Sequence, residues 1–132
     1  MTPAFPDGMG SSKSFRDLKV WQESMLLVEE VYALTRGFPP GERFCLTAQL
    51  RRAAVSIPSN IGEGARRRRG GSFRWFLRVA LGSQGELEVQ LEIALRLAYC
   101  SSSDYQRLMR RTSDVGRMLT GLLASQKEAD KE

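Results

Sequence analysis

The sequence predicts an all-α protein, folded as a single antiparallel up-and-down four-helix bundle. Four segments carry apolar residues at helical spacing, which is typical of amphipathic helices around one core. Clusters of glycine, proline and serine separate them, and such short connections favour antiparallel neighbours. A chain of 132 residues fits one domain. We place that domain at residues 15–125, after a flexible leader (1–14) and before a frayed tail (126–132).

The first helix is predicted to begin at Ser14, because the Asp17 carboxylate can reach back to the amide of a capping serine. It is predicted to end at Gly37, since glycine accepts the left-handed closing conformation and Pro39 and Pro40 cannot continue a helix. Its apolar positions are Leu18, Trp21, Met25, Val28 and Tyr32.

The second helix is predicted to begin near residue 41 and to bend at Pro58. Proline has no amide hydrogen, and its ring clashes with the carbonyl of Ala54, so a kink is expected there. Helical structure is then predicted to fade through Gly62 and Gly64.

The third helix is predicted to run from Ser72 to about Cys100. Its apolar residues alternate between 87 and 97 as in a strand, but the intervening residues are strong helix formers. On a helical wheel one apolar face holds Phe73, Phe76, Leu77, Ala80, Leu87, Leu91, Ala94, Leu95 and Ala98.

This helix has a second apolar face, although a helix in a small monomeric bundle needs only one. We therefore predict that the second face forms a subunit interface; an unusually wide core within one chain is the alternative. The interface residues are Trp75, Val79, Gly82, Glu86, Val89, Ile93 and Leu97, with Glu86 as a hydrogen-bonding group.

The fourth helix is predicted to begin near Ser102 or Ser103, where Asp104 and Gln106 complete a capping pattern. Its apolar stripe is Tyr105, Leu108, Met109, Val115, Met118, Leu119, Leu122 and Leu123.

The composition argues against an enzyme. Histidine is absent, which removes the commonest general base and metal ligand, and no other catalytic or metal-binding constellation is present. We predict no catalytic residue, no metal and no cofactor. Cys45 and Cys100 are predicted to be buried, reduced thiols. The chain has no apolar run of the roughly 20 residues that span a bilayer and no secretory signal pattern, so a cytoplasmic location is expected.

Positive charge is concentrated in one segment. Residues 36–80 contain ten arginines against Glu42 and Glu63, a charge of +8, while the rest of the chain carries −3. Arginine grips phosphate with two parallel hydrogen bonds, so we predict an RNA- or DNA-binding surface with little base specificity. The alternatives are a solvated or subunit-pairing face, or an acidic protein partner. The candidate residues are Arg51, Arg52, Arg66, Arg67, Arg68, Arg69, Arg74 and Arg78.

Three segments carry a family resemblance: DLKVWQ at residues 17–22, LTAQLRRAAVSIPSNIGEG at 46–64, and FLRVALGS at 76–83 followed by Glu86, Leu87 and Glu88. In these the chain resembles the small bacterial four-helix-bundle proteins encoded within intervening sequences of 23S ribosomal RNA genes. The family looks to prefer alanine where this chain has Gly62, and the arginine run at 66–69 also departs from its pattern.

The resemblance implies an up-and-down bundle that assembles as a ring-shaped homopentamer. The family is similar in fold to the accessory variability proteins of diversity-generating retroelements, basic pentamers that bind nucleic acid and a reverse transcriptase. The partners expected by resemblance are therefore further copies of the chain, RNA or DNA, and a nucleic-acid enzyme such as a reverse transcriptase.

Overall fold

The computed structural model describes residues 14–67 and 72–131. It contains helices α1 (Lys19–Thr35), α2 (Leu46–Arg66), α3 (Ser72–Arg96) and α4 (Ser102–Lys131), with 3-10 turns at Phe15–Asp17 and Pro40–Glu42. No strand occurs in these two described ranges, so the predicted all-α class is confirmed and the alternating segment 87–97 is not a strand. Apart from Ser14, the predicted leader lies outside the described residues.

Consecutive helices run antiparallel. As the residue number increases along one helix, the number of the residue that it contacts on the next helix decreases. The contacts that show this direction are Phe15–Gly62 and Thr35–Arg51 between the first two helical segments, Ser56–Ser83 and Gly64–Phe73 between α2 and α3, and Gln84–Thr112 and Glu92–Tyr105 between α3 and α4. Helix α1 also contacts α4, which closes the bundle.

Aliphatic side chains and the ring of Phe73 fill the centre of the bundle. Phe73 is the largest fully buried side chain, and all four helices contribute leucine, isoleucine, valine or alanine around it. Burial of this apolar surface is the main favourable term in folding. The fully buried large residues are Leu27, Val31, Leu50, Ile57, Ile61, Phe73, Leu77, Leu87, Leu91, Leu108, Val115 and Leu119.

The start of the first helix differs from the prediction. Ser14 and Asp17 do form the expected reciprocal cap, but on the 3-10 turn Phe15–Asp17. Leu18 is extended (ψ 125°) and buried, so α1 begins only at Lys19. The interruption places the Phe15 ring 5.1 Å from that of Trp21, in an edge-to-face arrangement.

Helix α2 is shorter at its start and longer at its end than predicted. It begins at Leu46, after the Pro40–Glu42 turn, and continues through Pro58 and both glycines to Arg66. The predicted fading at Gly62 and Gly64 is wrong, because both are buried where other elements come close. A Cβ atom on Gly64 would lie 2.7 Å from the Cβ of Phe76.

The connection between α3 and α4 comes earlier than predicted. Helix α3 ends at Arg96, and Ala98 takes a left-handed conformation (φ 61°). The Ala98 and Tyr99 amides donate to the carbonyls of Leu95 and Ala94, the closing pattern of a Schellman motif. Ser101, rather than Ser103, accepts from the Asp104 amide at 3.0 Å and caps α4.

The cysteine prediction is half right. Both thiols are free, but Cys45 is exposed at the residue before α2 and Cys100 is half-buried in the α3–α4 connection.

Glu42 replaces the missing side-chain cap of α2. Its Oε1 accepts from the Leu46 amide at 3.1 Å, and its Oε2 accepts from the Tyr99 hydroxyl at 2.8 Å. The Tyr99 bond, followed by the Leu46 bond, lowers the pKa of Glu42 below its ordinary value. A lowered folded-state pKa stabilises the fold above the unfolded-state value, about 4.5, and that contribution is lost as the pH falls through the folded-state pKa.

We therefore expect Glu42→Gln to lower the melting temperature at pH 7, because the helix loses a carboxylate near its N-terminus. The difference from the unsubstituted chain should shrink as the pH is lowered below about 4.5, where the native carboxyl also becomes neutral. Thermal unfolding by circular dichroism between pH 3 and pH 7 measures this. Glu29→Gln, at an exposed position of α1, is the control. An equal effect of both changes at pH 7 would show that Glu42 has no special role.

Candidate nucleic-acid interface

The structure separates the six candidate arginines that it describes into two groups. Arg51 and Arg52 lie in the first half of α2, and Arg66 lies at its last residue. At 1.5 Å per residue, Arg52 and Arg66 are about 21 Å apart along the helix. Because α3 is antiparallel to α2, Arg74 and Arg78 lie near the end of α2 rather than near Arg51.

The Arg51 side chain is engaged in contacts within the bundle. Its Nε donates to the Thr35 hydroxyl at 2.8 Å, and its guanidinium lies 4.4 Å from the centroid of the Tyr32 ring. Both partners belong to α1, so Arg51 joins α1 to α2. Arg52 is exposed and lines a small polar groove between α2 and α3 together with Glu86.

The second group forms a surface that we call the basic end: Arg66, Arg67, Arg74 and Arg78. Glu63 is the carboxylate paired with it. The Arg67 Nε lies 2.7 Å from a Glu63 oxygen, and an Arg66 nitrogen lies 3.7 Å from the other oxygen. Four arginines and one glutamate leave these five residues with a charge of +3.

Three arginines of the basic end, Arg66, Arg67 and Arg78, are exposed and can meet a polyanion. The Arg66 and Arg67 side chains are 70% and 66% exposed, and exposed ion pairs of this kind contribute only about 0–1 kcal/mol. Arg78 is exposed and Arg74 is half-buried. The Arg67 guanidinium also lies 5.9 Å from the Phe76 ring centroid, which holds it against the start of α3. Arg68 and Arg69 lie outside the described residues.

The predicted second face of α3 is largely exposed on the single chain. Trp75, Val89, Ile93 and Leu97 are 59%, 61%, 41% and 50% exposed. Val79 is half-buried, while Gly82 and Glu86 are exposed. We call these seven residues the α3 stripe. The opposite face is buried at Phe73, Leu77, Ala80, Leu87, Leu91 and Ala94, whereas Phe76 and Leu95 are half-buried and Ala98 is exposed.

Sequence reasoning missed several polar contacts between helices. Gln84 is buried on α3 and donates to the Thr112 carbonyl of α4 at 3.1 Å and to Glu88 at 2.7 Å. Gly116 leaves room for this amide, since a Cβ there would lie 2.8 Å from it. The available sequence signals were weak: a polar residue within an apolar segment of α3, and a glycine within α4. The sequence alone does not show that these two residues lie opposite each other.

Neither described range contains a helix that is both long and apolar enough to cross a membrane. Across the same residues, no three cysteine or acidic side chains are grouped so as to hold a metal ion.

The profile of the family described as 23S rRNA-intervening sequence protein matches residues 16–121, which is most of the chain. The chain belongs to this family. The three segments that carry the family resemblance, 17–22, 46–64 and 76–83, lie within the matched range and form parts of α1, α2 and α3. The family description names the gene context of its members and states no activity.

A solved structure has the same fold as this family member. It is the crystal structure of a protein of unknown function from the S23 ribosomal protein family of Bacteroides thetaiotaomicron. The TM-score is 0.74 at 22% sequence identity, over 79% of this chain and 97% of the other. At this identity the likeness concerns the fold alone. No curated protein matches the chain.

Proposed function

We propose that this protein is a non-enzymatic oligomeric module that binds RNA or DNA phosphates through the basic end, with little base specificity. The observation that carries this proposal is that Arg66, Arg67 and Arg78 are exposed, together with half-buried Arg74, at the end of α2 and the start of α3, where Glu63 pairs with the first two. Phosphate contacts by arginine provide affinity without sequence information. Arg68 and Arg69 extend the same segment in the sequence, so we include them in the proposed surface.

Assembly is the second part of the proposal. We infer that copies of the chain form a ring-shaped homopentamer, as the family resemblance implies, and that the α3 stripe lies in the contact between them. A ring presents several basic ends at once, which raises the overall affinity for a long polyanion through effective concentration. We also propose a bend of α2 at Pro58, where proline leaves one carbonyl without its helical donor, and a cytoplasmic location.

The proposal predicts salt-dependent binding that depends on the basic end. Fluorescence anisotropy with labelled single-stranded and duplex RNA and DNA, at about 50 to 200 mM salt, measures affinity and its salt slope. The triple variant Arg66→Gln, Arg67→Gln and Arg78→Gln should bind at least about tenfold more weakly, with a slope smaller by about two to three. Adding Arg68→Gln and Arg69→Gln should weaken binding further.

The control removes the same charge from the opposite end of the bundle, at the exposed residues Arg36, Arg43 and Arg96. This triple variant should retain most of the affinity. Undetectable binding at about 50 mM salt, or equal losses in the two triple variants, would contradict the proposed surface. A pull-down that retains a protein after nuclease treatment, and loses it in the first triple variant, would favour an acidic protein partner instead.

A further inference from the structure

We infer that neighbouring copies of the chain meet head to tail, with the α3 stripe of one copy seated in a groove between α1 and α2 of the next. This inference rests on the proposed oligomeric module and specifies which two surfaces form its subunit contact. The inference is carried by the shape and charge of the two surfaces. Each copy has an apolar ridge, the α3 stripe, and a separate apolar groove. A contact between ridge and groove avoids the repulsion between like charges that a contact between two ridges would create.

The α1–α2 groove is concave and mostly apolar. It encloses about 530 Å³ and is lined chiefly by Phe15, Trp21, Met25, Val28, Val55 and Pro58. Val55 is 39% exposed there, which is unusual for a valine facing its own bundle. Gly62 also lines the groove, where it contributes no side chain.

The α3 stripe is a ridge with coiled-coil spacing. Its first six residues, from Trp75 to Ile93, follow one another at steps of four and three, which keeps them on one line along the helix. From Trp75 to Leu97 the ridge is about 33 Å long. Its large exposed apolar side chains are Trp75 at one end and Val89, Ile93 and Leu97 at the other. Exposed apolar side chains grouped in this way are typical of a surface that contacts another protein.

Glu86 argues against pairing of two stripes with each other. It lies eleven residues from Trp75 and eleven from Leu97, at the middle of the stripe. Both a parallel alignment and a fully overlapping antiparallel alignment would therefore bring two Glu86 carboxylates together inside an apolar contact. Like charges removed from water repel each other, and each also loses its hydration.

The groove offers Glu86 a better environment. Its α2 wall carries the exposed Ser59 hydroxyl and, at one end, the 70% exposed Arg66. Glu63 lies at that same end, but its closest partner is already Arg67 at 2.7 Å. A carboxylate entering along this wall therefore meets a hydroxyl donor and a cation rather than a second Glu86.

The two surfaces do not overlap on one molecule. On α2, the groove residues Val55, Ser59 and Gly62 lie on the side toward α1, whereas Ala53 and Ser56 face α3. Each copy can thus use its stripe and its groove at the same time, with different neighbours. Such a contact is heterologous, and it builds a closed ring when the rotation per subunit divides a full turn.

Two single substitutions test this arrangement by complementation. Val89→Lys damages the stripe and leaves the groove intact, while Val55→Lys damages the groove and leaves the stripe intact. Each variant alone should have the monomer mass of 14.8 kDa by light scattering. When mixed, they should form a 1:1 heterodimer and nothing larger, because one stripe and one groove remain usable. Both substitutions introduce lysine, so the two damaged surfaces cannot attract each other.

Leu26→Lys is the matched control, because Leu26 is 42% exposed on α1 and lies outside both surfaces. This variant should assemble as the unsubstituted chain does. Far-UV circular dichroism checks that each variant folds, and Ile93→Lys with Ser59→Trp provides a second pair, the tryptophan filling the groove.

Three outcomes would overturn the inference. They are a monomeric unsubstituted chain, an assembly that survives both Val55→Lys and Ser59→Trp, and monomeric variants that never form a heterodimer. The second would show that the groove takes no part in the contact, as when stripes pair with stripes, and the third that an intact stripe and an intact groove do not bind each other. Arg67 and Arg78 lie outside both surfaces, so an RNA titration of the Arg67→Gln and Arg78→Gln variants, with their masses checked, measures the proposed phosphate binding separately from the head-to-tail contact.

Discussion

Phe73→Ala is expected to lower the free energy of unfolding by about 3–5 kcal/mol, the usual range for removing a fully buried aromatic ring. Phe73 is 1% exposed and lies in the first turn of α3, against Gly64 of α2. Its removal takes away the largest buried side chain of the core and leaves a cavity where the two helices meet. Chemical denaturation followed by circular dichroism measures the loss.

Phe44→Ala makes the same chemical change at a position that is 83% exposed, in the connection before α2. It should alter the free energy of unfolding by no more than about 0.5 kcal/mol. Similar losses in the two variants would mean that Phe73 does not occupy the core position assigned to it.

Gly64→Ala is expected to lower the free energy of unfolding by about 1–3 kcal/mol, even though alanine is the better helix former. The added Cβ would lie 2.7 Å from the Cβ of Phe76 and 2.9 Å from the Cδ1 of Phe73. Neither atom is the end of a flexible chain, so α2 and α3 would have to move apart. The same denaturation experiment measures the loss.

Gly62→Ala is the matched comparison two residues earlier on the same helix. Here the added Cβ would meet the Phe15 ring at 3.5 Å, which is ordinary van der Waals contact. Relief of the glycine cost should therefore stabilise the protein by about 0.5–1 kcal/mol. If both variants are stabilised, the close approach at Gly64 is not as tight as the structure has it.

Helical periodicity was sufficient to predict the four helices and the two faces of α3. The residues at 73, 77, 80, 87, 91 and 94 are buried, and those at 75, 89, 93 and 97 are exposed, as the 100° step per residue requires. The cap at Ser14 was also predictable, because a serine and an aspartate three residues apart act locally. The family resemblance likewise rests on short local segments, and the profile match over residues 16–121 confirms it.

Helix ends were harder to predict where no specific residue marks them. Ala98 closes α3 in a left-handed conformation that sequence reasoning expects of glycine. Leu18 interrupts the first helix because its burial outweighs helix continuity, although leucine favours helices. At Leu18 packing overrides the local preference, whereas at exposed Ala98 the unusual conformation goes with the two closing backbone hydrogen bonds of α3.

Long-range geometry decided the composition of the candidate site. The sequence lists eight arginines within 28 positions, but helix length separates Arg51 and Arg52 from the basic end, and Arg51 is held by Thr35 and Tyr32 of another helix. The same holds for the glycines of α2, which read as helix breakers locally yet lie buried where α2 meets its neighbours. Local patterns specify secondary structure because neighbouring residues interact directly. Which side chains meet across the bundle depends on helix packing, and that information is not local.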